Sequence, residues 1–357
     1  MRILTNIYED KHVAGGPQRY APSFVRAMQE RGHHVVGFFL KGLLGSTYKA
    51  AVSAAVGDAR PGMPEALEEA RAALAPLVRD ARGDVLVLHG FSLANWLLFD
   101  AARSQGVPCV VARHGFWYKE IGSALPPAVI RRMEEMERES LAGAACNVFL
   151  NAWSVGKMEE RHPGILGDRT AVIPLPYDPA FADPAPVSAT ANRIGFVARW
   201  DPIKNIPLVR AFAEAYPSYD VVALTRVGGR RPLEQEEEPF ARAVRVLPPV
   251  EPSELRSFYA SCAALILPSH FDVNPTVVME AALQGRATVI TDGVGWADLY
   301  RAHGMDALIT EPNADALAAA VKEAVARPLP ASFVNDIRER CAPDHVFDAW
   351  HDLIQTV

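Results

Sequence analysis

Between Pro268 and Gly285 the chain reads PSHFDVNPTVVMEAALQG, and a single acid there is chemically out of place. Val277, Val278, Met279, Ala281, Ala282 and Leu283 surround Glu280. A helix that is apolar on every side is a buried helix. A carboxylate buried without a partner costs several kcal/mol or changes its protonation state. Glu280 therefore needs donors, and a ribose diol would supply them. Asn274 suits a helix cap and Pro275 the first helical position. The free N–H groups of Thr276 and Val277 then point out of the helix end, where an anion such as a phosphate is stabilised. Asp272, on the turn beside Val273, is spaced to bond hydroxyls of another sugar unit. The competing reading is a capped core helix with Glu280 in a salt bridge.

A second cluster is GFVARWDPIKN, in which Arg199 ends a strand and Lys204 follows five residues on, just before a helix. Arg presents a planar fork and Lys a point charge, and both can converge on one diphosphate. Such cations stabilise the charge that develops on a departing diphosphate. Taken alone, the pair reads more simply as solvated surface charge. Weaker signals lie upstream. Gly15 and Gly16 in AGGPQRY permit close approach of backbone to a ligand. His114 ends the apolar strand VVARHG, and His89 ends DVLVLHG in the same way. GFSLA at Gly90 half-matches the nucleophile elbow G-x-S-x-G. A serine hydrolase built on His89, Gly90 or Ser92 is thus a competing enzyme class.

The elements that must position these residues alternate. RILTNI, HVVGFFL, DVLVLHG, VPCVVARHG and CNVFLNAWS read as strands, with HVVGFFL a buried one. Helical stretches separate them, and Gly32 is the stop signal of the first. Short apolar strands alternating with helices imply a parallel sheet covered on both faces. The Pro-, Ala- and Ser-rich segment from Asp178 to Arg193 lacks apolar periodicity and reads as an interdomain linker. The alternation then restarts with IGFVARW, YDVVALT, AVRVLPPV, AALILPS and ATVITDG. EQEEEP near Glu236 reads as a solvated loop. The expectation is α/β: two doubly wound, Rossmann-like domains facing across a cleft, with ligands beyond the carboxyl ends of the strands. The domains are expected at 1–178 and 194–340, joined by the linker 179–193. A C-terminal helix over 341–357 would pack back on the first domain.

Composition removes several classes. The 357 residues are 50% hydrophobic and carry a formal charge of −6, which argues against a general nucleic-acid binder. Four scattered cysteines without a C-x-x-C fit reduced cytosolic thiols better than a disulfide frame or a zinc site. MRILTNIYEDKHV does not read as a signal peptide. No apolar run is long enough to span a membrane, which leaves room only for peripheral contact, as at an inner membrane face. G-x-G-x-x-G after the first strand, G-x-x-x-x-G-K-[ST], H-E-x-x-H and D-x-D are all missing, which disfavours a dinucleotide oxidoreductase, a P-loop NTPase and an obvious metal site.

The order AGG, RHG, ARWDPIKN and PSHFDVNPTVVMEA resembles the retaining GT-B-fold glycosyltransferases of family 4. The resemblance covers most of residues 1–325 and is most specific in the second domain. It implies transfer of a sugar from a nucleotide-diphosphate sugar to a hydroxyl-bearing acceptor, such as a glycan, a lipid-linked glycan or a small molecule. It implies retention of anomeric configuration and neither cofactor nor bound metal. Arg199 and Lys204 would neutralise the diphosphate, and Glu280 would hold the ribose. Asp272, with the backbone of Val273, Asn274, Pro275 and Thr276, would contact the donor sugar and distal phosphate. His114 would sit near the transferred sugar, and Gly16 would let the first-domain loop reach the donor phosphate. The chain departs from the family pattern at Asp272, where the first acid of an E-x7-E pair is one methylene shorter. ARW also stands for G-R, and TRVGG is a worn loop. These departures keep open a non-catalytic protein that only binds sugar nucleotides.

Overall fold

The structure is a computed structural model that describes residues 1–7, 16–45, 63–120, 126–228 and 233–357. It divides into two compact units, Met1–Pro174 together with Val346–Val357, and Leu175–His345. Each contains a six-stranded sheet in which all paired strands run parallel. The fold is thus α/β with two Rossmann-like domains.

In the first unit the strands are β1 (Arg2–Asn6), β2 (His34–Phe38), β3 (Val85–His89), β4 (Cys109–Arg113), β5 (Cys146–Phe149) and β6 (Thr170–Val172), in the order β2-β1-β3-β4-β5-β6. β3, β4 and β5 are buried at every position, as continuous apolar runs covered on both faces should be. β2 corrects the expectation of a buried strand. It is the sheet edge, and only Phe38 of its five residues is fully buried. Apolar composition gives a strand the capacity to be buried, but its place in the order decides the outcome.

The helix Gly16–Glu30 ends one turn residue before Gly32, whose φ of +81° is the left-handed conformation that glycine adopts without strain. The helix Pro343–Thr356 buries Val346, Phe347, Trp350 and Ile354, one stripe at helical spacing. Phe347 stacks on Tyr20 at 6.1 Å, Trp350 meets the edge of Phe24 at 5.3 Å, and Arg31 pairs with Asp348 at 2.7 Å. These contacts are why the last residues of the chain join the first unit.

In the second unit β7 (Arg193–Val197), β8 (Asp220–Leu224), β9 (Arg245–Leu247), β10 (Ala264–Leu267), β11 (Thr288–Thr291) and β12 (Ile309–Thr310) lie in the order β12-β11-β10-β7-β8-β9. The order reverses direction between β7 and β10. In open parallel sheets such a switch point is where a crevice opens outside the carboxyl ends of the strands. The segment 179–193, read as a linker, begins with a turn that buries Phe181 in this unit's core. Gln284 pins it there, accepting from the Ala185 amide at 2.8 Å and donating to the Phe181 carbonyl at 3.0 Å. EQEEEP is helical rather than a loop. Glu234–Glu236 form a 3-10 turn and Glu237–Ala243 an α-helix, and Arg210 donates to Glu236 at 2.8 Å.

The four cysteines are buried and free. Burial pushes the thiols of Cys109, Cys262 and Cys341 up to about 12. Among the described residues no helix is long and apolar enough to cross a membrane.

Candidate active site

β7 and β10 are hydrogen-bonded neighbours, with Ile194 opposite Ala264 and Gly195 opposite Leu265. The segment that follows Val197 therefore lies beside the segment that follows Leu267. Arg199 is exposed and has no ion-pair partner among the described residues. Trp200, next to it, is buried and anchors the segment in the core. Asp201 then caps the 3-10 turn Pro202–Lys204, its side chain accepting from the Ile203 amide at 3.3 Å. Asn205 turns the chain into the helix Ile206–Ala215 with φ +54°, a conformation that asparagine tolerates better than most residues. The His270 amide donates to the Ile203 carbonyl at 2.8 Å and stitches the two strand-end segments together.

That stitch brings Lys204 to Asp272. The Lys204 ammonium and the Asp272 carboxylate form an ion pair whose side chains are only 12% and 16% exposed. Asp272 is itself fixed by backbone. Its amide donates to Gly293 at 3.0 Å, and its carbonyl accepts from Gly295 at 2.8 Å. Gly293 has no room for a side chain, because a Cβ there would lie 2.2 Å from the His270 carbonyl oxygen. The helix that follows is Thr276–Leu283, with Pro275 in the cap position and no side chain capping it. Asn274 was expected to cap and Pro275 to be the first helical residue, so the helix starts one residue later. Pro275 has no N–H, and its carbonyl accepts from the Trp296 indole at 3.2 Å, which holds the helix entry.

Glu280 lies just over a turn inward and is 7% exposed, while Val277, Val278, Met279, Ala281, Ala282 and Leu283 around it are all buried. The Tyr259 hydroxyl donates to its Oε2 at 2.8 Å. Tyr259 belongs to the helix Pro252–Ser261 that leads into β10, and its ring packs 5.9 Å from that of Phe181. Sequence reasoning missed Tyr259. The available signal was a tyrosine on the apolar face of that helix, because a buried phenol needs a partner for its hydroxyl.

In the first unit the strand order reverses between β1 and β3. Gly15 lies outside the described residues, and Gly16 is the first residue of the helix after β1. Asn6, also missed in the sequence, ends β1 and bridges to β3: its Oδ1 accepts from the His89 amide at 2.7 Å. The Asn95 side-chain amide donates to the Gly90 carbonyl at 2.7 Å, fixing the turn after β3. His89 and His114 have ring centroids 5.8 Å apart, and Tyr20 packs against both. Burial pulls His114 down to about 4, and burial with the neighbouring His114 pulls His89 well below its ordinary value. Both are therefore neutral imidazoles near neutral pH. Neither ring nitrogen of His114 has a hydrogen-bond partner among the described residues. A neutral imidazole can donate from one nitrogen and accept at the other, which suits sugar hydroxyls. Ser92 caps the helix Leu93–Ser104, its hydroxyl oxygen accepting from the Asn95 amide at 3.1 Å. Its hydroxyl oxygen thus has a structural role at the helix start. Among the described residues no group of three or more His, Cys, Asp or Glu side chains is arranged to hold a metal ion.

Comparison with known proteins fits both halves of the chain. A model described as "Glycosyl transferase 4-like domain" matches residues 15–176, and one described as "Glycosyl transferases group 1" matches residues 191–327. No curated protein sequence matches the chain. Among solved structures, it is similar to a sucrose-phosphate synthase from Thermosynechococcus elongatus, with a TM-score of 0.78 and 17% identity over 99% of this chain and 98% of that one. It is also similar to a UDP-forming α,α-trehalose-phosphate synthase from Burkholderia xenovorans in complex with glucose-6-phosphate, with a TM-score of 0.65 and 13% identity over 99% of each chain. A third similar structure is a trehalose-6-phosphate synthase studied for glycosyltransfer with retention, with a TM-score of 0.66 and 15% identity over 100% of this chain and 99% of that one. At these identities the structures speak for the fold, and the two sequence models for the family. The chain belongs to the GT-B glycosyltransferases of the family 4 type.

Proposed function

We propose that the protein transfers a sugar from a nucleotide-diphosphate sugar to a hydroxyl-bearing acceptor with retention of anomeric configuration and without a bound metal. The observation that carries this reading is the switch point of the second unit. There Lys204 and Asp272 meet beside the N-terminus of the helix that holds Glu280. In this reading Arg199, Lys204 and that helix end neutralise the diphosphate, Glu280 accepts from the ribose hydroxyls, and Asp272 accepts from the donor sugar. His114 bonds sugar hydroxyls as a neutral donor and acceptor. Asn274, Val273, Pro275 and Thr276 line the sugar and distal phosphate with backbone.

The chemical step is a same-face displacement. The bond from the anomeric carbon to the phosphate oxygen breaks as the acceptor oxygen bonds that carbon. The acceptor's proton passes to the leaving phosphate, and the cations stabilise its growing charge. Retention is also the outcome studied in one of the similar trehalose-6-phosphate synthases.

The test is a thermal-shift panel of UDP, GDP and ADP with their common nucleotide sugars. A ligand that binds only the native state at about 100 times its Kd stabilises it by about 2.7 kcal/mol. One base family should raise the melting point, and its nucleotide sugar should be consumed once an acceptor is supplied. Binding without consumption across a broad set of acceptors would favour a non-catalytic sugar-nucleotide protein. No shift with any nucleotide would end the reading.

A further inference from the structure

We propose that the Lys204–Asp272 ion pair is a counter-ion exchange that makes tight binding of a diphosphate depend on the sugar attached to it, so that the nucleoside diphosphate product is bound more weakly than the nucleotide-sugar substrate. The inference rests on the functional reading above and adds a specificity-determining and release role for Asp272.

The pair is built rather than incidental. Both side chains are mostly withdrawn from solvent. Lys204 closes a turn capped by Asp201, and that turn is joined to the Asp272 segment through Ile203 and His270. Asp272 is held through Gly293 and Gly295. Two charges sheltered in this way are stable while paired, and removing one partner strands the other. Arg199 differs, because it is exposed and has no ion-pair partner among the described residues. An arriving diphosphate meets one open cation, Arg199, and one that is already neutralised, Lys204. To take Lys204 it must displace Asp272.

The displaced carboxylate then stands in a sheltered site beside a new anion, with its counter-ion gone. Like charges brought together in low dielectric repel strongly. Hydroxyl donors relieve the carboxylate, since hydrogen bonds to a charged acceptor are among the stronger ones. A nucleotide sugar brings the hydroxyls of its transferred sugar, whereas a nucleoside diphosphate has only those of its ribose, which the functional reading gives to Glu280. After transfer the sugar has left, Asp272 reclaims Lys204, and the product diphosphate loses a ligand. The same pair thus favours substrate on entry and speeds product departure.

The experiment is a double-mutant cycle on the full chain, with calorimetric Kd values for UDP, GDP, ADP, UDP-glucose, GDP-mannose and ADP-glucose. For the base that binds, Asp272→Asn should tighten the nucleoside diphosphate by about tenfold and weaken the nucleotide sugar by a similar factor, inverting the preference. In a Lys204→Met background, Asp272→Asn should tighten the diphosphate by a clearly smaller factor, because only the bare repulsion is then relieved and no counter-ion is freed. Asp272→Ser provides a second variant should the first melt at a lower temperature than wild type. The proposal is overturned if Asp272→Asn leaves diphosphate affinity unchanged or lower. It is equally overturned if both ligands tighten alike, which is a bare field effect, or if the gain persists undiminished without Lys204. If none of the six probes binds the wild type, the donor reading itself fails and this inference falls with it.

Discussion

Tyr259 donates its hydroxyl to Oε2 of Glu280 across 2.8 Å, inside a helix packing where every neighbour of the acid from Val277 to Leu283 is buried. A neutral phenol steadies the carboxylate's position and leaves it able to accept further hydrogen bonds, since a carboxylate has about four lone-pair sites. Glu280→Gln should therefore lower nucleotide-sugar affinity by roughly ten- to a hundredfold, the worth of hydrogen bonds to a charged acceptor. Tyr259→Phe should act more on stability than on binding. It removes one buried hydrogen bond, about 1 kcal/mol, and shifts donor Kd only a few-fold. Calorimetry and thermal melts on the two variants separate these effects. A Glu280→Gln variant that binds every nucleotide sugar as wild type does would remove Glu280 from the site.

Arg199 offers a cleaner separation of function from stability. It is exposed without an ion pair among the described residues, so Arg199→Ala should change unfolding free energy by no more than about 0.5 kcal/mol. Turnover should nevertheless drop by about a hundredfold or more, because the charge it neutralises grows in the transition state. Arg327, 77% exposed and paired with Glu323 in the same unit, is the control. Equal kcat/KM losses in Arg199→Ala and Arg327→Ala would contradict the assignment.

Gly293 tests whether the Asp272 segment is set by backbone packing. An alanine Cβ would meet the His270 carbonyl oxygen and carbon at 2.2 and 2.9 Å, and backbone atoms cannot swing aside as a side chain can. Gly293→Ala should lower stability by about 1–3 kcal/mol and weaken nucleotide-sugar binding together, because the displaced loop carries Asp272. A crystal structure of the variant should show the His270–Asp272 backbone moved. Wild-type melting temperature and affinity would refute the steric argument.

His89 and His114 make the first unit sensitive to acid. Their folded-state values lie below the ordinary 6.5, His114 at about 4, so on acidification the unfolded chain binds these protons first. The His114 contribution is complete above about pH 6.5 and is lost as pH falls toward about 4, and His89 adds to it in the same direction. For His114 alone the loss is on the order of 3 kcal/mol. Denaturant melts across that range should show falling stability in the wild type. His114→Asn, which cannot titrate there, should have a shallower slope. Parallel slopes in the two proteins would show that His114 is solvated.

Much of the framework was written locally. Apolar runs such as DVLVLHG and AALILPS announce buried parallel strands, and the lone acid in PTVVMEAALQG marks a site because a single charge on an all-apolar helix demands an explanation. The edge position of β2, the helical state of EQEEEP and the attachment of residues 179–193 to the second unit were not legible. Each depends on which partner surface a segment meets, and local periodicity carries no record of that.

What the sequence determined by itself is the alternation of elements, the positions of Arg199, Lys204, Asp272 and Glu280 at strand ends and helix starts, and the family pattern they share. Only the tertiary structure decided that β7 and β10 are neighbours, that Tyr259 is a partner of Glu280, and that Lys204 reaches Asp272 across 68 residues of chain. The physical reason is one of range. Burial and turn preferences act over a few residues and can be read in order along the chain. Ion pairs and buried hydrogen bonds act through space, and the sheet order that brings their partners together is chosen by packing of the whole unit.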